Sequence, residues 1–345
     1  MQTIIQTVKP AKKIYRRCLD LFAIGSVVLC SVEHAGSQTN SAFFQNRVHD
    51  PSNIIRDGQR FWIFSTGDGI KTLHSTDLQD WTPGKPALGK NPTWAKDVAA
   101  VHRDYFWAPD IIRAGDTFML YYSVSSWGKN TSAIGLATNV TLDPSRPEFS
   151  WQDAGIVIRT FETNDFNAID PAVSFDAEGR LWMTLGSYWS GIKLIELDPR
   201  SGHRISPESP IHTLAKNASI EAAYIHRRTT NYFLFVNWGQ CCRGTNSTYE
   251  IRVGRSTKIT GPYLDRDGKD MARGGGTLFL SSQPPFYGPG HTSIANIGGQ
   301  DWFSCHYYDG RRRGSARLWV GKLGWDDDGW PIPPILSESN SLNTP

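Results

Sequence analysis

The stretch Asn231–Asn237, "NYFLFVN", sets five apolar residues without a break between two asparagines. It is too short for a helix of ordinary length, and its ring and branched side chains fit a pleated sheet. Four other stretches share this make-up: "RFWIFST" from Arg60, "TFMLYYS" from Thr117, "RLWMTLGS" from Arg180 and "DWFSCHYY" from Asp301. Each of the five follows a turn-prone segment ("RDGQ", "AGD", "DAEG", "RRTT", "IGGQ"), and another short apolar segment precedes each turn. That order spells a β-hairpin, five times.

Behind most hairpins comes a third strand, as in "IKTLHSTDLQDW", "SAIGLATNVTL", "GIKLIELDP" and "YEIRVGRSTKITGPY". The aromatic strands begin near residues 61, 118, 182, 232 and 302, 50 to 70 residues apart, the length of a four-stranded blade with variable loops. The expected fold is all-β, a five-bladed β-propeller. A generic β-sandwich would show regular strands and turns as well, but nothing in it requires the same hairpin chemistry five times. The best helical candidate, "TNDFNAID", is short and polar. Composition agrees, since 13 Trp, 16 Phe and 12 Tyr with 32 Gly, 20 Pro and only 4 Met favour short strands and tight turns.

Residues 1–35 differ from the rest. Lys9, Lys12, Lys13, Arg16 and Arg17 precede the apolar "LFAIGSVVLC", which ends near the small residues Ala35, Gly36 and Ser37. This reads as a secretory leader, leaving residues 36–345 as one propeller domain in a secreted, monomeric protein. An uncleaved anchor is the alternative. The apolar core is short for a membrane span, and nothing later approaches ~20 apolar residues, so no membrane association is expected after leader removal. The leader holds five of the 36 basic and two of the 33 acidic side chains, so the remainder has 31 of each. A balanced chain offers no nucleic-acid footprint.

Of five cysteines, Cys18 and Cys30 fall in the leader, leaving adjacent Cys241 and Cys242 in "WGQCCRG" and a distant Cys305. No C-x-x-C spacing suggests zinc. A bridge between neighbours is strained, so at most one long-range disulfide is expected, with its partner undetermined. Asn130, Asn139, Asn217 and Asn246 match the N-x-[ST] acceptor pattern, which matters only in a glycosylating host.

If the first strand of each blade lines the central channel, equivalent residues near its start converge at one mouth. Counting back from the aromatic strands, Asp50 precedes Phe61 by eleven residues, Asp170 precedes Trp182 by twelve, and Glu221 and His291 precede Tyr232 and Trp302 by eleven. In the second blade the same count falls on Trp107, with Asp110 three residues on. Singly, these are weak signals: Asp-Pro opens many turns, and a lone His is usually structural. Together they place three acids, a histidine and a tryptophan in one register. Carboxylates at one level of a narrow channel repel one another and are driven towards protonation, which is hard to retain for stability alone.

Glycoside hydrolysis needs such a set: one carboxylic acid protonates the leaving oxygen, and a second carboxylate activates water or attacks the anomeric carbon. A third acid raises the pKa of the proton donor and holds it in place. Glu221, set in the apolar "SIEAAYI", is expected to have few polar neighbours and so to keep its proton. Trp94, Trp107, Trp127, Tyr188 and Trp189 offer apolar faces for sugar rings. Most other rings must be core.

The series "HDPS", "WAPDI", "YYSVSSWGKNTSAIGLATN", "NAIDPAV", "IEAAYI", "NWGQCCRGTNSTYEIRVGRS", "TGPYLD" and "GPGHTS" resembles glycoside hydrolase family 43, above all its endo-1,5-α-L-arabinanase branch. The resemblance runs from about Val48 to Trp330. It implies a five-bladed propeller hydrolysing arabinan and arabino-oligosaccharides with inversion, with Asp50 as general base, Glu221 as general acid and Asp170 as the residue that tunes and orients the acid. It implies further that His291 helps hold Ca2+, or Na+, in the central channel, water filling most of the shell, and that no organic cofactor takes part. Substrate contacts carried over with the motifs are Trp94, Trp107, Trp127, Asn167, Ser187, Tyr188 and Cys242; His49, Asp110 and Trp189 join them as candidate contacts. Two departures stand out: "SSWG" where relatives often carry Phe before the Gly, and "GHTS" where many have Asn after the His. The stretch between "DPRSGHRISPESP" and Glu221 is also short for the family, which bears on cleft shape. An exo-acting α-L-arabinofuranosidase or β-xylosidase on the same scaffold is the near alternative, and a non-catalytic carbohydrate-binding propeller the distant one.

Overall fold

The computed structural model describes residues 47–100 and 102–337. The leader at 1–35, with Cys18 and Cys30, lies outside the described residues, as does 36–46 of the domain. Five antiparallel sheets of three or more strands stand in chain order, followed by a two-stranded one of Gly324–Trp325 and Pro331–Ile332. Blade 1 holds Ile55–Asp57, Arg60–Ser65, Lys71–Ser75 and Thr82–Pro83; blade 2 holds Tyr105–Ala114, Thr117–Val124, Ser132–Asn139 and Gln152–Thr160. Blade 3 comprises Ala172–Phe175, Leu181–Leu185, Ile192–Leu197 and His212–Ala215, and blade 4 Ile220–Arg228, Asn231–Trp238, Glu250–Ser256 and Thr277–Leu280. Blade 5 has Phe286–Ile297, Gln300–Asp309 and Ser315–Lys322, and the N-terminal segment closes the circle on it, Val48 N–H donating to Ala316 C=O at 3.2 Å.

The unbroken apolar run of each aromatic strand has a simple cause. Successive side chains of a strand point to opposite faces, and each second strand is buried on both. In blade 2, Phe118, Leu120 and Tyr122 pack with blade 1 residues such as Trp62 and Phe64, while Met119 and Tyr121 pack with Val173, Leu181 and Met183 of blade 3. In blade 4, Tyr232, Leu234 and Val236 meet blade 3, and Phe233 and Phe235 meet blade 5. Trp62 and Ile63 part the same way between blades 2 and 5. The core is therefore five clusters, one at each blade interface.

First strands of neighbouring blades touch around the axis, so their starts gather at one mouth. Among the described residues the one α-helix is Ala95–Val98, and no helix is long and apolar enough to cross a membrane. Asn130 and Asn139 are buried, their side chains bonded to backbone groups, so two of the four glycosylation matches are inaccessible.

Two expectations need correction. Cys241 and Cys242 are joined to each other, and Cys305 is free and buried. Among the described residues no long-range partner reaches the pair: the tight turn brings neighbouring sulfurs together, while Cys305 packs in the cluster between blades 4 and 5. The single register also slips. Five residues, one per blade, have left-handed backbone: Asp50, Ala108, Asp170, Ala222 and His291, with φ of 52, 41, 57, 52 and 58°. Trp107 and Glu221 each stand one residue before that position, because hairpin lengths differ between blades.

Candidate active site

The five left-handed residues are tied into a ring by one repeated device. Each donates its N–H to a side chain presented by the preceding blade: Ala108 to Thr66 Oγ1 at 2.8 Å, Asp170 to Ser123 Oγ at 3.0 Å, His291 to Asn237 Oδ1 at 2.9 Å and Asp50 to His306 Nδ1 at 3.1 Å. Each acceptor lies at the end of a second strand, opposite the residue before the left-handed one. In blade 3 that place falls to Gly186, whose N–H pairs with Ile169 C=O and which has no side chain to offer. The N–H of Ala222 is taken instead by Asp170 Oδ2 at 3.2 Å. The one break in the ring thus turns Asp170 towards the peptide that carries Glu221. A Cβ on Gly186 would stand 2.6 Å from Gly191 O, and its φ is +124°, so the gap is built into the backbone.

Above this ring opens a cleft of ≈ 1600 Å³. His49, Asp50, Trp107, Trp127, Asn167, Asp170, Ser187, Tyr188, Trp189, Glu221, Cys242 and His291 line it, so the structure brings together most of the residues predicted from sequence. Trp127 is 77% exposed and Trp189 43%, and Trp127 meets Trp107 edge-on. Asn167 Oδ1 is buried without a hydrogen-bond partner among the described residues.

Two predicted contacts do not belong to this cleft. Asp110 is buried under it, accepting Asn53 N–H and Val173 N–H at 2.8 Å each, so it staples blades 1, 2 and 3 around the axis. Burial raises its carboxyl to about 7 against those backbone donors. Trp94 stacks on Tyr122 and lies over Gly135, where a Cβ would meet its ring at 2.5 Å. It is a core ring between blades 1 and 2.

The three cleft carboxylates have unequal surroundings. Burial alone would raise Asp50, but His49, with Nδ1 2.7 Å from Oδ2, outweighs it, and the group is held far below the ordinary carboxylate range. Thr66 O–H donates to the same oxygen at 2.6 Å. His291 and His306 stand 3.4 and 3.6 Å from Oδ1, and burial drives both towards their neutral forms, so the main pull comes from His49. Glu221 is raised by burial, although Ser187 O–H at 2.7 Å and Tyr249 O–H donate to it. Its neighbourhood is therefore not the apolar one expected: hydroxyls distant in sequence close on it. Asp170 is raised well above its usual value by burial, then by the charges of Glu221 and Asp50, with only Ala222 N–H opposing. Asp170 and Glu221 thus act as a pair that keeps a proton where an isolated acid loses it.

Thr66, His306 and Tyr308 were missed as site residues because they lie in or just after strands whose aromatic runs read as core, and Tyr249 because it precedes a third strand, away from the counted register. Among the described residues, metal-ligand clusters are His49 with Cys241 and Cys242, and His49 with Asp50 and His306. The disulfide occupies the sulfurs of the first, and the second is spent on its own contacts. His291 belongs to neither.

An ionised acid and a proton-holding pair in one cleft lined by tryptophans, at the mouth of a five-bladed propeller, are the equipment of a glycoside hydrolase. The comparisons with known proteins agree. The family model for glycosyl hydrolases family 43 matches residues 40–331, and the chain belongs to that family. It is 42% identical over 298 residues to an extracellular exo-α-(1→5)-L-arabinofuranosidase of Cellvibrio japonicus, covering 82% of this chain and 85% of that one. It is 35% identical over 331 residues to an extracellular endo-α-(1→5)-L-arabinanase of Bacillus subtilis, covering 93% and 98%. The solved structure of Cellvibrio cellulosa α-L-arabinanase complexed with arabinohexaose superposes with a TM-score of 0.80 at 40% identity, covering 83% of this chain and 95% of that one.

Proposed function

We propose that this enzyme is exported and hydrolyses α-1,5-linked L-arabinan with inversion. The observation that carries the reading is the unequal surroundings of two carboxylates on one cleft: Asp50 lies against His49 Nδ1, which holds it low, and Thr66 O–H, while Glu221 is buried and raised. Asp50 accepts a proton from water as the water oxygen bonds to the anomeric carbon. Glu221 gives its proton to the departing glycosidic oxygen, and the electron pair of the broken bond stays on that oxygen. Asp170 keeps the proton within the pair and, through Ala222 N–H, orients the segment bearing Glu221. The named substrates of the relatives supply arabinan, and their description as extracellular supports export.

Internal cleavage is the mode proposed, since the cleft is large enough for several sugar residues. The 42%-identical relative favours a second reading, release from a chain end. Time-resolved products of linear arabinan separate them: mixed oligosaccharides come first from internal cleavage, a single small product from the exo mode. Proton NMR in the same experiment is expected to show the β-anomer as the first-formed reducing end. Asp50→Asn and Glu221→Gln are each expected to lower kcat about 10²–10⁴-fold, and full turnover in either would sink the assignment.

His291 is the candidate ligand for a channel cation. Its Nδ1 faces Asp50, and its other ring nitrogen makes no hydrogen bond within the described protein. One imidazole nitrogen is a poor match for calcium, which prefers six to eight oxygens, so water would complete the shell. A bound cation would add positive charge below the carboxylates. Chelation is expected to lower melting temperature and activity, with Ca2+ restoring both in the wild type and neither in His291→Ala; an unchanged melting temperature would speak against the site.

A further inference from the structure

We propose that the Cys241–Cys242 disulfide is a positioning element for Asp50, acting through a hydrogen-bonded chain of Cys242 N–H, Tyr308 and His49. The proposal rests on the reading of Asp50 as the base.

The chain is continuous. Cys242 N–H donates to Tyr308 Oη at 2.7 Å, Tyr308 Oη lies 2.7 Å from His49 Nε2, and His49 Nδ1 lies 2.7 Å from Asp50 Oδ2. An ionised Asp50 only accepts, so His49 donates through Nδ1, and its Nε2 and the Tyr308 hydroxyl share the next hydrogen bond of the chain. Tyr308 keeps its proton: it is 2% exposed, and burial holds its hydroxyl well above the ordinary tyrosine range. His49 is braced on its flat side by His306, ring to ring at 4.0 Å.

The start of the chain is where the disulfide acts. A bond between adjacent cysteines closes a small ring around the peptide that joins them, and the N–H of that peptide is the one donated to Tyr308. The ring restricts the direction of this N–H at a residue whose φ is already +68°. Either side is pinned separately: Gln240 N–H donates to Thr248 Oγ1 at 3.1 Å, and Arg243 N–H to Ser247 Oγ at 3.0 Å. Opening the disulfide therefore frees the Cys241–Cys242 peptide with little change to the rest of the loop. Both cysteines line the cleft, within reach of a small thiol.

The test measures kcat and KM of the full-length enzyme on arabinohexaose before and after treatment with dithiothreitol. The reagent's two thiols become its cyclic disulfide while Cys241 and Cys242 each gain a hydrogen, and thiol titration counts the two new groups. Reduction is expected to lower kcat about 10-fold, with KM within about a factor of two, because a small displacement of the base costs the chemical step and not binding. Reoxidation restores kcat. Tyr308→Phe is expected to show a similar loss already, with little further loss on reduction, since both changes break one chain. The double variant Cys241→Ser/Cys242→Ser repeats the measurement without reductant, and Cys305→Ser, in the core away from the cleft, leaves the response intact. An unchanged kcat on reduction, a rise in KM alone, or losses that multiply in full between reduction and Tyr308→Phe would each overturn the proposal. Turnover surviving in Asp50→Asn would instead overturn the base assignment, and is read separately.

Discussion

Asp170 is held at both ends by the ring device: its N–H goes to Ser123 and its carboxylate takes Ala222 N–H, a contact left to it because Gly186 has no side chain. An amide at this position keeps an oxygen for Ala222 but loses the charge. Asp170→Asn is therefore expected to retain more kcat than Asp170→Ala. Its pH profile carries the sharper test. Two carboxyls that share a proton ionise less readily together than either does alone, so with an amide at 170 the basic limb of kcat/KM is expected to move to lower pH. A basic limb that stays in place would show that Asp170 only orients.

Each second strand serves two interfaces, which makes the aromatic strands the elements least tolerant of truncation. Phe235 is fully buried and meets Phe279 edge-on, with ring centroids 5.2 Å apart. Phe235→Ala is expected to destabilise the fold by about 3–5 kcal/mol, measured by denaturant or thermal unfolding. Ile335→Ala, at a residue 83% exposed, should stay within about 0.5 kcal/mol. Comparable losses in the two would contradict the layered core.

For the molecule as a whole, circular closure and the cleft share one segment: residues 47–54 complete the interface of blades 5 and 1 through Val48 and Ile54, and carry Asp50 to the cleft. Asp110 gathers three blades beneath it. Its carboxyl, raised to about 7 in the folded chain from an ordinary value near 3.8, binds more protons folded than unfolded between those values. Stability from this group is thus fullest below about 4 and declines as pH rises towards 7. The gap in melting temperature between wild type and Asp110→Asn is expected to narrow over that range; a gap that widens would mean the carboxylate is stabilised where it lies.

Blade count, strand order and the three carboxylates were legible in the sequence because they depend on local pattern: apolar runs between turns, repeated five times, with acids at a countable distance from each run. Contacts between residues far apart in the chain left no such trace. Asp110 sits three residues from Trp107, yet the fold turns one into a buried staple and the other to the cleft. Trp94 reads as a sugar platform until Gly135 and Tyr122 are placed against it. The sulfurs of Cys241 and Cys242 and the hydroxyls around Glu221 likewise meet only in three dimensions. By itself, then, the sequence determined the propeller and the meeting of Asp50, Asp170 and Glu221 at one mouth, since hydrophobic period and turn chemistry act over a few residues. Tertiary structure alone decided which acid stays charged, because a carboxyl's proton answers to burial and to neighbours that the chain brings from other blades.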